Sequence, residues 1–100
     1  MAPALTLPPK ERLILELLLS RGATYGLDLV GQSTGALKRG TVYVTLSRME
    51  AKGLVASEQE APQPGAIGLP RRLYRITGLG ERVLQAWTTL SRELAWDRPS

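Results

Sequence analysis

The chain contains no cysteine and no histidine. Without cysteine there is no disulfide and no thiolate metal site. Without histidine the commonest metal ligand and the commonest general base near neutral pH are both missing. The remaining residues offer no nucleophile–base pair, no metal-ligand set and no phosphate-cradling loop, so the sequence points away from an enzyme and no cofactor is expected. Long apolar runs are lacking too. The longest, Leu13–Leu19, is interrupted by Glu16 and falls far short of the roughly 20 residues a bilayer requires. It does not read as a signal peptide either, because Lys10 and Arg12 sit late and no small-residue cleavage site follows. The expected setting is the cytoplasm, at the nucleoid, with no membrane partner.

What is present is enough for one globular domain: 100 residues, 43% hydrophobic and 22% charged. The net charge of +4 is concentrated in one stretch. Between Lys38 and Arg75 lie seven basic residues (Lys38, Arg39, Arg48, Lys52, Arg71, Arg72, Arg75) and three acids, while the rest of the chain is neutral. A localised excess is what an anionic polymer responds to.

Within that stretch, KRGTVYVTLSRMEAK over residues 38–52 reads as one helix with two stripes. At about 100° per residue, Val42, Leu46 and Met49 share one side, suited to a core. Thr41, Thr45, Arg48 and Lys52 share another, with Val44 on their flank. A line of hydroxyls and cations suits a DNA major groove, where Thr and Arg reach phosphates and base edges. An ordinary solvated face is the alternative, and the flanking sequence bears on the choice.

Residues 1–8 are proline-rich and read as a flexible arm. Pro9 suits the first turn of a helix that runs to Gly22. That helix is apolar over most of its circumference, so it has two sides to bury. A second subunit, taking Leu13, Leu15 and Leu19, is the simplest cover for one of them; a central helix wrapped by its own domain is the alternative. Thr24 is placed to cap a short helix over Tyr25–Ser33 with Leu27, Val30 and Leu29 inward. A glycine-containing turn then leads into the two-striped helix, which makes a helix-turn-helix. Leu54–Glu60 and Arg72–Ile76 read as strands of a hairpin, with APQPGAIGLPR as an irregular tip between them. Arg71, Arg72 and Arg75 lie on the returning strand or at its base, making the hairpin a basic wing. Thr77 caps a last helix, roughly Leu79–Trp96, in which Val83, Trp87, Leu90 and Leu94 form a narrow stripe that can zip two helices together. The predicted fold class is therefore mostly α with a small β-hairpin: a winged helix-turn-helix over 9–77, followed by a C-terminal dimerisation helix within 78–100.

Three segments in this order, ILELLLSRGATYGLDLV, GTVYVTLSRMEAKGLV and RRLYRITGLGERVL with Trp87 beyond, resemble the PadR family of winged-helix transcriptional regulators. A single short helix after the wing is similar to the family's small subgroup. The resemblance implies a homodimer, joined through its first and last helices, that binds a pseudo-palindromic operator on double-stranded DNA and usually represses. It also implies a small aromatic or amphipathic effector near the dimer interface; Trp87 is the interfacial aromatic placed to stack on one, with plain interface packing as the alternative reading. It places Gly40, Thr41 and Tyr43 at the DNA-facing start of the recognition helix, Tyr25 near the backbone, and Arg71 and Arg72 in the wing. One position departs from the pattern: Val44 stands where the family commonly has proline. The residue spacing adds Lys38 and Arg39 at the mouth of that helix, Thr45, Arg48 and Lys52 along it, and Arg75 in the wing. The rival reading is a winged-helix module for protein–protein contact that binds no DNA.

Overall fold

A computed structural model describes residues 7–61, 65 and 71–96. Residues 1–6 of the expected arm, most of the wing tip and residues 97–100 lie outside the described residues. The first helix, α1, spans Pro9–Arg21 and stops at Gly22, whose φ of +82° is left-handed and whose N–H caps the Leu18 carbonyl. Ile14, Leu15 and Leu18 are fully buried along it, and Leu7, just ahead of the helix, already lies in the core.

Thr24 does not cap a helix. Its hydroxyl donates to the Gly22 carbonyl (2.9 Å), and Thr24–Tyr25 form a short strand, β1. Helix α2 then covers Gly26–Gln32, one residue inside each expected end. Its inward residue is Leu29, flanked by the half-buried Val30, whereas Leu27 is exposed, so the expected inward face is rotated. The turn after α2 is pinned by Ser33, whose buried hydroxyl donates to the Val30 carbonyl and accepts the Leu37 N–H. Helix α3 spans Arg39–Ala51 and buries Val42, Leu46 and Met49, the stripe expected from spacing.

Strands β2 (Val55–Gln59) and β3 (Arg72–Ile76) pair antiparallel from Val55 opposite Ile76 to Gln59 opposite Arg72. Strand β1 adds to the other edge of β3, with Thr24 opposite Tyr74, so the sheet has three strands in the order β1-β3-β2. A two-residue strand carries almost no periodic signal, which is why only the hairpin was legible. The last helix, α4, spans Gly78–Trp96. Thr77 starts it: its hydroxyl accepts the Gly80 N–H (3.0 Å) and donates to the Gly53 carbonyl (2.6 Å). Leu84 is buried, and Val83 and Trp87 pack against the core; farther along, Leu90 and Leu94 are exposed. No helix of the described residues is long and apolar enough to cross a membrane.

Candidate nucleic-acid interface

The helix-turn-helix packs α3 so that its buried stripe fixes which residues face outward. Diametrically opposite Val42, Leu46 and Met49 lie Gly40, Val44, Ser47 and Ala51, all exposed. The stripe of Thr41, Thr45, Arg48 and Lys52 is a quarter-turn round, on the side toward the start of α1. Thr45 and Arg48 border a crevice shared with Pro8, Pro9, Lys10 and Glu11, and the Thr45 hydroxyl donates to the Thr41 carbonyl (3.2 Å). Lys52 at the helix end is committed elsewhere. Its ammonium contacts both carboxylate oxygens of Glu11 at 3.0 and 3.2 Å, and Glu11 is only 2% exposed. Lys52 therefore neutralises a buried acid across α1 and α3. Because α3 begins at Arg39, Val44 lies in its second turn. A residue with an N–H continues the helical ladder there.

The wing arginines are similarly engaged. Tyr25 donates its hydroxyl to Glu60 Oε1 (2.8 Å), Arg71 pairs with the same carboxylate oxygen (3.5 Å), and the Arg71 guanidinium stands 3.9 Å over the Tyr25 ring. This clasp ties β1 to the outer end of the hairpin, where the Glu60 N–H also donates to the Arg71 carbonyl. Arg72 donates to the Ser57 hydroxyl (3.0 Å), which in turn donates to Glu50 on α3, and Arg75 pairs with Glu58 at 3.7 Å. By contrast Lys38, Arg39 and Arg48 are exposed, and among the described residues no carboxylate lies within ion-pair distance of them. Of the basic residues between Lys38 and Arg75, the uncompensated ones thus stand at the start of α3, where the helix dipole is also positive, and at Arg48 in its last turn.

The clasp sets a pH window. The hydrogen bond from Tyr25, with the nearby Arg71, holds the Glu60 carboxyl below its ordinary 4.5, and the same bond raises the Tyr25 phenol above its ordinary 10.0. The lowered acid contributes above its unfolded value and loses that contribution as pH falls through the folded one. The raised phenol contributes below 10 and loses it as pH rises through its folded value. The clasp is therefore closed between these limits. Followed by NMR, the Tyr25 ring resonances should move as the solution is acidified below the ordinary carboxylate range. Glu60→Gln should remove that step, and its persistence in the variant would dissociate the titration from this pair.

The profile of the transcriptional regulator PadR-like family matches residues 14–86. The chain belongs to the PadR-like family of transcriptional regulators. Among solved structures, this PadR-like chain is similar to a PadR family transcription regulator from Clostridium difficile R20291. The two are 29% identical over 84% of this chain and 88% of the other, with a TM-score of 0.68. A PadR family regulator from Eggerthella lenta is likewise 29% identical, over 86% and 77% of the two chains, with a TM-score of 0.67. Bacillus subtilis PadR in complex with operator DNA shares the fold (TM-score 0.71, 19% identity), and the PadR-like chain aligns with about half of that longer protein (48%). Comparison with curated proteins finds no match.

Three short motifs within the PadR-like segments, YG, GTVY and YRIT-x-x-G, have physical reasons visible here. Gly26 lies under the half-exposed Tyr43 ring: a methyl on Gly26 would sit 2.6 Å from Tyr43 Cε1. The YG and GTVY motifs are thus one contact, joining α2 to α3. Gly80, the last residue of YRIT-x-x-G, is buried with the Leu54 carbonyl directly against its Cα. Of the residues expected at a dimer interface, Leu15 is fully buried within the chain's own core and has no surface to offer. Leu13 is half-buried and Leu19 exposed; Val83 and Trp87 pack on the core, and Leu90 and Leu94 remain open. Helix α1 packs against α4, and Leu19 borders a crevice with Leu84, Gln85 and Thr88 of α4. Sequence reasoning missed Glu11 and Glu60, because an acid in a first helical turn and an acid at a strand end carry no mark of their later partners.

Proposed function

We propose that this chain is a sequence-specific DNA-binding transcriptional regulator that represses as a homodimer on a pseudo-palindromic operator, in the cytoplasm at the nucleoid. The observation that carries the reading is the set of uncompensated cations on α3, with Lys38 and Arg39 at its exposed start and Arg48 in its last turn, beside a hairpin wing. Exposed backbone amides at a helix start and adjacent cations bind phosphate. The outward face of α3 then meets base edges, and the wing fixes register through the backbone. The operator complex of Bacillus subtilis PadR, whose fold this chain shares, supports the same use of the fold. The exposed Leu19, Leu90 and Leu94 supply the apolar surface of the dimer, and two copies present their α3 helices about one duplex turn apart, roughly 34 Å. Trp87, whose indole N–H is buried without a partner among the described residues, is the contact for a small aromatic effector.

Binding to a duplex carrying the chain's own upstream region, measured by anisotropy at several salt concentrations, tests the reading. Retention at low ionic strength with a steep salt slope is the expected result. Dimerisation with no retention of any duplex would favour a protein–protein module. Replacing Arg71 and Arg72 together by alanine should weaken binding to all sequences and flatten the slope by about 0.9 for each phosphate no longer neutralised. An unchanged slope would leave both arginines to their contacts with Tyr25, Glu60 and Ser57.

A further inference from the structure

We infer that Val44 is a specificity-determining residue that reads the 5-methyl group of a thymine in the major groove; the inference rests on the DNA-binding reading above. Val44 is 57% exposed, the most exposed large apolar side chain of α3, and stands at the centre of the face opposite the core. Among the described residues Val44 is not one of the hydrophobic side chains that pack against the core. A β-branched residue is a mediocre helix former, and a solvated helix position is better filled by Ala, Lys or Glu. Its neighbours along that face are Gly40, Ser47 and Ala51, three of the smallest residues. At Gly40 an added methyl would meet nothing within 4 Å, so no packing inside the chain requires glycine there. Small residues on an outward face let the helix backbone approach another surface closely, leaving Val44 as the one side chain that projects from it.

The charges around that projection name the surface. Arg48 borders the helix face, and Lys38 and Arg39 stand at the N-terminal end of the helix, all three exposed and without a carboxylate partner among the described residues. An apolar tip flanked by Arg48, with Lys38 and Arg39 at the helix's N-terminal end, complements a groove whose edges are phosphates and whose floor carries a hydrophobic group. In the major groove the only such group is the thymine methyl. A valine has no donor or acceptor with which to discriminate otherwise, so recognition at this position is by shape and desolvation. Burying one methyl against the valine amounts to about a four-fold change in affinity for each half-site.

The test is a methyl-deletion scan on the intact protein. A binding site is first selected from chemically synthesised random duplexes, in which thymine is the only base bearing a methyl. Each thymine is then replaced in turn by deoxyuridine. One symmetry-related pair of substitutions should weaken the wild-type protein about four-fold per half-site. Val44→Ala, whose fold is checked by circular dichroism, should bind the thymine and uracil duplexes equally. Val44→Ile, which keeps an apolar branched tip, should retain the discrimination. A uracil penalty that persists in Val44→Ala would assign the methyl to another residue and overturn the proposal. A tightly bound duplex with no methyl-sensitive position would overturn it as well. Failure to select any duplex would overturn this proposal together with the DNA-binding reading, and is distinguished from the other two by the absence of binding itself.

Discussion

Gly80→Ala lowers the melting temperature by about 5–15 °C, the largest effect expected of a methyl added at any described glycine. The new Cβ would run into the carbonyl oxygen of Leu54 and sit 2.9 Å from Ile76 Cγ1. Neither neighbour is free to yield. The Leu54 oxygen accepts the Thr77 N–H (3.1 Å), and the Thr77 hydroxyl, held by its bond to the Gly53 carbonyl, in turn caps the Gly80 N–H. Moving the oxygen therefore breaks the start of α4, and moving α4 pulls Leu84 from the core. Overpacking of this kind costs about 1–3 kcal/mol, more where backbone must shift. Alanine returns at most about 1 kcal/mol through its better helix propensity. In a domain of this size each kcal/mol of destabilisation is worth about 4–8 °C. Gly78→Ala is the matched control: its Cβ would meet only Arg82 Nη1, at an ordinary 3.5 Å, and the melting temperature should hold or rise slightly. Thermal denaturation followed by circular dichroism decides the point, and equal melting for the two variants would remove the joint from the fold's essential contacts.

The same joint shows what a sequence can and cannot disclose. Helices α1, α3 and α4 and the hairpin were legible because each repeats a period: the buried Val42, Leu46 and Met49 of α3 recur at helical spacing, and the two strands lie between prolines and glycines. The motif glycines were visible as motifs, but their reasons were not, since the partner of Gly80 lies 26 residues away at Leu54 and that of Gly26 lies 17 residues away at Tyr43. Strand β1 escaped notice because its two residues become a strand only by pairing with β3. The candidate interface was legible in kind and displaced in detail. Charge counting placed seven basic residues in one stretch, yet composition cannot tell a cation facing solvent from one paired with an acid distant in sequence. Lys52, Arg71 and Arg75 have such partners, and Lys38, Arg39 and Arg48 stand open among the described residues. The outward face of α3 turned by a quarter for a related reason. Threonines and arginines draw attention as DNA ligands, whereas the face itself is set by where the core lies.

Lys52 provides the sharpest test of that distinction. If it grips phosphate, Lys52→Met leaves stability alone and reduces the salt slope of DNA binding by about 1 per protomer. The structure leads to the opposite expectation. Glu11 is 2% exposed and lies in the first turn of α1, where the helix dipole favours its charge. That dipole is a partial compensation, and the Lys52 ammonium supplies the rest. Removing one partner of a fully buried pair costs about 3–5 kcal/mol. The Lys52 side chain is 43% exposed, so water reaches this pair and the cost is smaller, about 1–3 kcal/mol. Urea denaturation of Lys52→Met should show it, with an unchanged salt slope for the folded protein. The double variant Glu11→Met with Lys52→Met replaces both charges by apolar groups and should recover most of that stability, because a buried pair exchanged as a unit is close to neutral. A single variant as stable as the wild type, with a salt slope reduced by one, would instead return Lys52 to the DNA surface and reduce its contact with Glu11 to an incidental one.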